Sequence, residues 1–159
     1  MKAAPRPAVV ALHVGVACEG LRPPVAARRI ADAARRVLRA EGVRAAMLSV
    51  TLVSPSAMAR LNRRHLGHAG ATDVISFGFT PTPGAGVVGD VYICPDVARA
   101  NARAAGCGVR EELLRLVVHG TLHVLGRDHP ADRARESSPM WRRQEVLLAG
   151  VLRRRVRPA

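Results

Sequence analysis

The chain has 159 residues, 25 basic against 12 acidic side chains and a formal charge of +13, and 48% of its residues are apolar. That length fits one domain, and the apolar fraction is enough to bury a core, which excludes a disordered basic tail or a disulfide-stapled miniature. Trp141, Tyr92, Phe77 and Phe79 are its only aromatic residues, which argues against single-strand binding through stacking platforms and leaves contact with a polyanion to electrostatics.

From the N-terminus, Val10, Leu12, Val14 and Val16 alternate with Ala11, His13 and Gly15, the period of a half-buried strand. With Lys2 ahead of it, this stretch has the outline of a short leader ending at Cys18. His13 and Gly15 interrupt the outline, and no run approaches bilayer length. The chain is therefore expected to be soluble, cytoplasmic and free of the membrane. Val25 to Arg39 has helical spacing, with Ile30, Ala33, Ala34, Val37 and Leu38 on one side and Gly42 as its stop. Met47 to Val53 alternates as a strand. Ser54-Pro55 is a cap and first turn for a helix to about Leu66, ended by Gly67 and Gly70. Val74 to Phe79 and Val87 to Cys94 read as a hairpin-like pair of strands around the turn residues Pro81, Pro83, Gly84 and Gly86. Helices follow over Pro95 to Ala105, Val109 to Leu125 and Ala134 to about Arg154. The expectation is a single α+β domain over residues 1–159, a mixed sheet of about four strands packed with helices and a helical C-terminal half.

Basic clusters at Arg28-Arg29, Arg35-Arg36, Arg63-Arg64, Arg142-Arg143 and Arg153 to Arg155 favour a nucleic acid over a membrane surface. Cys18, Cys94 and Cys107 are odd in number and lack a C-x-x-C pair, so they read as buried thiols in a reducing cytosol.

The chemistry concentrates in His119-Gly-Thr-Leu-His123-Val-Leu-Gly126-Arg-Asp-His129. Histidines four apart on a helix share one face a turn apart and can clamp one ion. Gly126 can end the helix in a left-handed conformation and bring His129 back to the same ion. Three neutral imidazoles suit zinc and leave an open position for water, whose pKa falls to roughly 7 at such a site. Asp128 is placed to orient a histidine. His13 reads as a strand residue, and His65 and His68 as ordinary polar residues around a helix end. Metzincin proteases share the histidine spacing, but Gly120 occupies the position of their glutamate base and cannot carry a proton. A phosphodiester fits better, since its oxygens can bind zinc while arginines hold the charge.

The segment HGTLHVLGRDH resembles the signature of the YbeY family of bacterial endoribonucleases and rRNA maturation factors. Similar blocks are Leu61-Asn62 leading to Thr72-Asp73-Val74-Ile75-Ser76-Phe77, then Gly89-Asp90-Val91-Tyr92-Ile93, then Met140 and Gln144-Glu145. The likeness is strongest over residues 45–150. It implies a sheet and helices around a metal cleft, one zinc on His119, His123 and His129, and single-strand-specific endoribonuclease activity in 16S rRNA 3′-end maturation and ribosome quality control. The implied partners are rRNA precursor and, beyond it, ribosomal proteins or the small ribosomal subunit. Two positions depart from the family: Leu66 stands where many members carry an arginine, and Arg127 where tyrosine is usual. Arg63, Arg64 and Arg127 are therefore the candidates for substrate phosphate, while the catalytic acid or base stays unassigned. Asp73, Asp90 and Asp128 are the nearest carboxylates, the first two at strand starts where turn capping is common. A non-catalytic ribosome-assembly factor with a structural zinc is the alternative, and a small metalloprotease a weaker one.

Overall fold

The computed structural model describes residues 11–79 and 86–153. The chain order is β1 (Leu12–Cys18), α1 (Ala27–Ala40), β2 (Ala46–Leu52), α2 (Pro55–Leu66), β3 (Val74–Phe79), β4 (Val87–Ile93), α3 (Pro95–Ala105), α4 (Val109–Val124) and α5 (Pro139–Leu152). Val10, the loop residues Pro81, Pro83 and Gly84, and Arg154-Arg155 lie outside the described residues. The α+β reading and the element sequence hold.

The strand order is β1-β2-β4-β3, with β1/β2 and β2/β4 parallel and β3/β4 antiparallel. Alternation sorts the residues. Leu48, Val50 and Leu52 of β2 and Val91 and Ile93 of β4 enter one core with Ile30, Ala33, Ala34 and Leu38 of α1 and Leu113, Leu114 and Val117 of α4. On the other face α2 covers one corner of the sheet, where Met58 packs with Val53, Ile75 and Cys94. Met47 of β2 stays 64% exposed.

Helix α4 is the axle of the molecule. It packs against α1, α3, α5, β3 and β4 and is buried over most of its surface, with Glu111, Arg115, His119 and His123 recurring every four residues as its polar edge. Its closeness to the sheet depends on Gly120: a Cβ there would stand 2.6 Å from Val91 Cγ1 and 3.0 Å from Ser76 Oγ. That serine instead donates to the Gly120 carbonyl at 3.0 Å.

Local signals explain most boundaries. Ser54 Oγ accepts from the Ala57 amide at 3.2 Å, and Gly67 ends α2 at φ 68°. The last helix begins later than the sequence suggests. Residues Arg133–Arg135 form only a 3₁₀ turn, capped by Asp132, and α5 starts at Pro139 behind the Ser138 cap. The proline sets this boundary, because the residue before it is pushed to extended backbone, and Ser138 sits at φ −70°, ψ 154°. Likewise α1 starts at Ala27, two residues after the expected Val25. Of the cysteines, Cys94 is buried, whereas Cys18 and Cys107, expected to be buried, are half-buried at element ends. Asp90 lies inside β4, not at its start, and accepts from Ser49 Oγ of the neighbouring strand at 2.5 Å. Among the described residues no helix is long and apolar enough to cross a membrane.

Candidate metal centre

Two turns of α4 and the loop after it converge three imidazoles. His119 and His123 project from one face of the helix, with ring centroids 4.6 Å apart. Gly126 follows at φ 85°, a left-handed backbone that other residues adopt at a cost. The turn returns His129 to 5.0 Å from both other rings. One ligand atom from each residue lies within 4.8 Å of the others, so the group can hold a metal ion.

Hydrogen bonds fix two of the tautomers. His119 Nδ1 stands 2.6 Å from Gln144 Oε1, and His129 Nδ1 stands 2.8 Å from the Pro130 carbonyl. Both partners only accept, so each Nδ1 carries the proton. The Nε2 atoms of His119 and His129 are then two lone pairs facing one another at 3.4 Å. With both rings neutral, a shared cation satisfies that pairing. A tetrahedral ion with metal–nitrogen bonds of about 2.0–2.1 Å sets its nitrogens about 3.4 Å apart. The third imidazole, His123, has Nδ1 3.5 Å from Asp128 Oδ1.

Burial favours the neutral form of the two helix imidazoles. Burial drives the His119 pKa down to about 3, against the favourable Gln144 contact, and the charges of His123, Arg135 and His129 push the same way. Burial lowers His123 as well, with Asp128 opposing. Neutral imidazole is the form that binds a metal.

The three histidines open into a cleft of about 450 Å³ whose lining also includes Leu66, Asp73, Ser76, Asp128 and Arg135. Asp73 is occupied in holding the cleft wall. Its Oδ1 accepts from the Val74 amide at 2.8 Å and its Oδ2 from Asn101 Nδ2 at 3.0 Å. Asn62 ties the end of α2 to the same loop, donating to the Gly70 carbonyl at 2.9 Å. The Leu-Asn and Thr-Asp blocks are thus clips that shape the cleft. His65 packs edge-on to Phe77, with centroids 5.0 Å apart.

The arginines separate. Arg63 and Arg64 line a second hollow of about 510 Å³ with Arg60, Glu19 and Tyr92. Arg127 turns away to Glu41, which it meets at 2.6 and 2.9 Å, and Arg143 binds the other oxygen of the same carboxylate at 2.7 Å. Burial alone would raise the Glu41 pKa, but the two guanidinium contacts outweigh it and hold it low. Sequence reasoning passed over two residues at the site, Gln144 as the partner of His119 and Arg135 in the lining. Gln144 lies 25 positions beyond His119, with no spacing in the sequence that links the two. Arg135 was hidden inside an expected helix.

Fold and site together define a single α+β domain with a three-histidine group in a cleft, and with Gly120 rather than an acid beside the first of those histidines. The endoribonuclease YbeY family model matches residues 22–151, and the chain belongs to that family of endoribonucleases. It is 45% identical over 134 residues to an endoribonuclease YbeY of Frankia casuarinae, covering 76% of this chain and 65% of that one. It is 42% identical over 137 residues to an endoribonuclease YbeY of Thermobifida fusca, covering 80% and 86%. The solution structure of TM1509 from Thermotoga maritima is similar with a TM-score of 0.59 at 25% identity, covering 87% of this chain and 88% of that one.

Proposed function

We propose that the chain is a zinc-dependent endoribonuclease that cuts single-stranded rRNA precursor in the cytoplasm, at the 3′ end of 16S rRNA, with His119, His123 and His129 as the metal ligands. The observation that carries this reading is the pair of Nε2 lone pairs facing at 3.4 Å with both tautomers fixed from behind. Relatives named as endoribonucleases support the reaction class. The ion, once bound, supplies Lewis acidity toward a phosphate oxygen and toward water.

The chain's own residues do the rest. Gln144 and the Pro130 carbonyl orient two imidazoles, and Asp128 faces the third. Arg63 and Arg64, with Arg60, offer guanidinium groups to the phosphates of the strand beyond the cut, a contact that positions without reading sequence. Arg127 is not assigned to the substrate, because Glu41 holds it. Gly120 supports a phosphodiester over a peptide, since a glutamate there would drive its side chain into Val91 and Ser76.

The test is cleavage of an end-labelled 16S precursor fragment by zinc-loaded protein beside His123→Ala, a half-exposed position whose loss the fold should tolerate. Cleavage by the parent alone, with zinc lost from the variant, is the expected result. Leu66, half-exposed in the cleft, favours the second reading of an assembly factor that binds rRNA with a structural zinc. Zinc bound by the parent without cleavage by either protein would establish that reading in place of the first.

A further inference from the structure

A cleft that cuts a phosphodiester must meet the phosphate's negative charge with something besides the ion. Arg127 is committed to Glu41, and Arg63 and Arg64 open into the other hollow. Among the described residues that line the histidine cleft, the one guanidinium is Arg135.

The side chain is held but not satisfied. Among the described residues, Arg135 Nε is the only buried side-chain nitrogen or oxygen without a hydrogen-bond partner. The guanidinium carbon lies 5.6 Å from the centroid of the Trp141 ring, a contact that supports its flat face and uses none of its in-plane N–H donors. The backbone beneath is built to fix it. Asp132 caps the 3₁₀ turn through the Ala134 amide at 2.9 Å, and the Arg135 carbonyl accepts from both the Ser138 amide at 3.1 Å and Ser138 Oγ at 2.6 Å. A rigid stem, a supported face and an unused donor edge in a metal cleft are the features of an oxyanion contact.

We propose that Arg135 is a catalytic residue that donates to the non-bridging oxygens of the phosphate being cut, on the side away from the histidines. The proposal rests on the endoribonuclease reading for its reaction, but the anion contact stands apart from turnover. A planar guanidinium can give two parallel hydrogen bonds to a phosphate, and those bonds strengthen as charge gathers on its oxygens.

The experiment compares parent, Arg135→Lys and Arg135→Met, all zinc-loaded, the last keeping a long side chain against Trp141. Three quantities are read: zinc content, binding of inorganic phosphate by calorimetry, and kcat and KM on single-stranded RNA. The expected result for Arg135→Met is unchanged zinc content, phosphate affinity lowered at least tenfold and kcat lowered on the order of 10²-fold. Arg135→Lys should recover part of both, and added guanidinium ion should restore part of the Arg135→Met rate. Equal phosphate binding and equal kcat in Arg135→Met overturn the proposal. Loss of zinc in step with activity also overturns it, since that marks a packing role. Phosphate bound by the parent and not by Arg135→Met, with RNA cut by neither, upholds the anion site while refuting the endoribonuclease reading. No phosphate binding by the parent overturns the site itself.

Discussion

His119 Nδ1 stands 2.6 Å from Oε1 of Gln144, a side chain with no solvent exposure. The amide cannot flip freely, because its Nε2 donates to Glu145 Oε1 at 3.2 Å, and the same carboxylate oxygen takes the Arg115 Nε at 2.9 Å. Arg115 is held in turn by Glu111 and Glu112. A part-buried ion network therefore dictates which nitrogen of a buried imidazole faces the cleft.

Replacing Gln144 with Leu keeps the volume and removes the acceptor, freeing the His119 tautomer. Metal affinity is expected to fall about 10–100-fold, the usual cost of losing a partner behind a ligand. A chelator-competition titration checks it, with far-ultraviolet circular dichroism unchanged. Affinity equal to that of the parent would mean that the contact only packs.

Acid should destabilise the metal-free protein through the same histidine. Its pKa is about 3 in the folded chain, against 6.5 ordinarily. Between those values the unfolded chain binds the extra proton and the folded chain does not. Stability is thus fully present above about pH 6.5 and declines as pH falls toward 3, and His123, also lowered, adds to the slope. Urea midpoints of the metal-free protein across that range measure this. At His119, competition between protons and metal for the lone pair should set in only toward the acid end of that range.

Gly120→Ala adds a methyl group 2.6 Å from Val91 Cγ1, with little room to yield between α4 and the sheet. Overpacking of this kind costs about 1–3 kcal/mol, and the shift passes to His119 one residue away. Thermal unfolding gives the first effect and metal titration the second. A variant as stable as the parent would show that α4 can slide on the sheet.

Glu41→Gln removes the charge shared by Arg127 and Arg143. Destabilisation of about 0.5–1 kcal/mol is expected, since Arg127 and Arg143 are 42% and 34% exposed and water screens the network. Arg127→Ala should cost a similar amount and leave the salt dependence of RNA binding unaltered. Arg63→Ala, by contrast, should reduce that salt slope by about one ion.

Periodicity carried the sequence reading where packing follows it. Leu48, Val50 and Leu52 alternate because one face of β2 is core, and Ile30, Ala34 and Leu38 recur at helical spacing because α1 lies on that core. The histidine group was legible for a related reason: two histidines sit one turn apart on a helix and the third follows a glycine that can reverse the chain. Long-range choices were not. Strand order depends on which edges meet after collapse, and β4 inserts between β2 and β3 with no local mark of it. Arg127 looked like a free cation until folding delivered Glu41, 86 positions away. Arg135 lay within what read as helix, and only the extended backbone that Pro139 imposes on Ser138 turns that segment into a loop facing the cleft.

The helix that carries two of the histidines is also the helix around which the core is assembled, with Gly120 pressed to the sheet between them. Folding and chemistry therefore draw on the same sixteen residues, and neither can be adjusted there without disturbing the other. Room to vary lies on the rim, at the end of α2 and in the loop before α5. Leu66 and Arg135 occupy those two places, so this chain can redistribute charge around its histidines while the axle stays as it is.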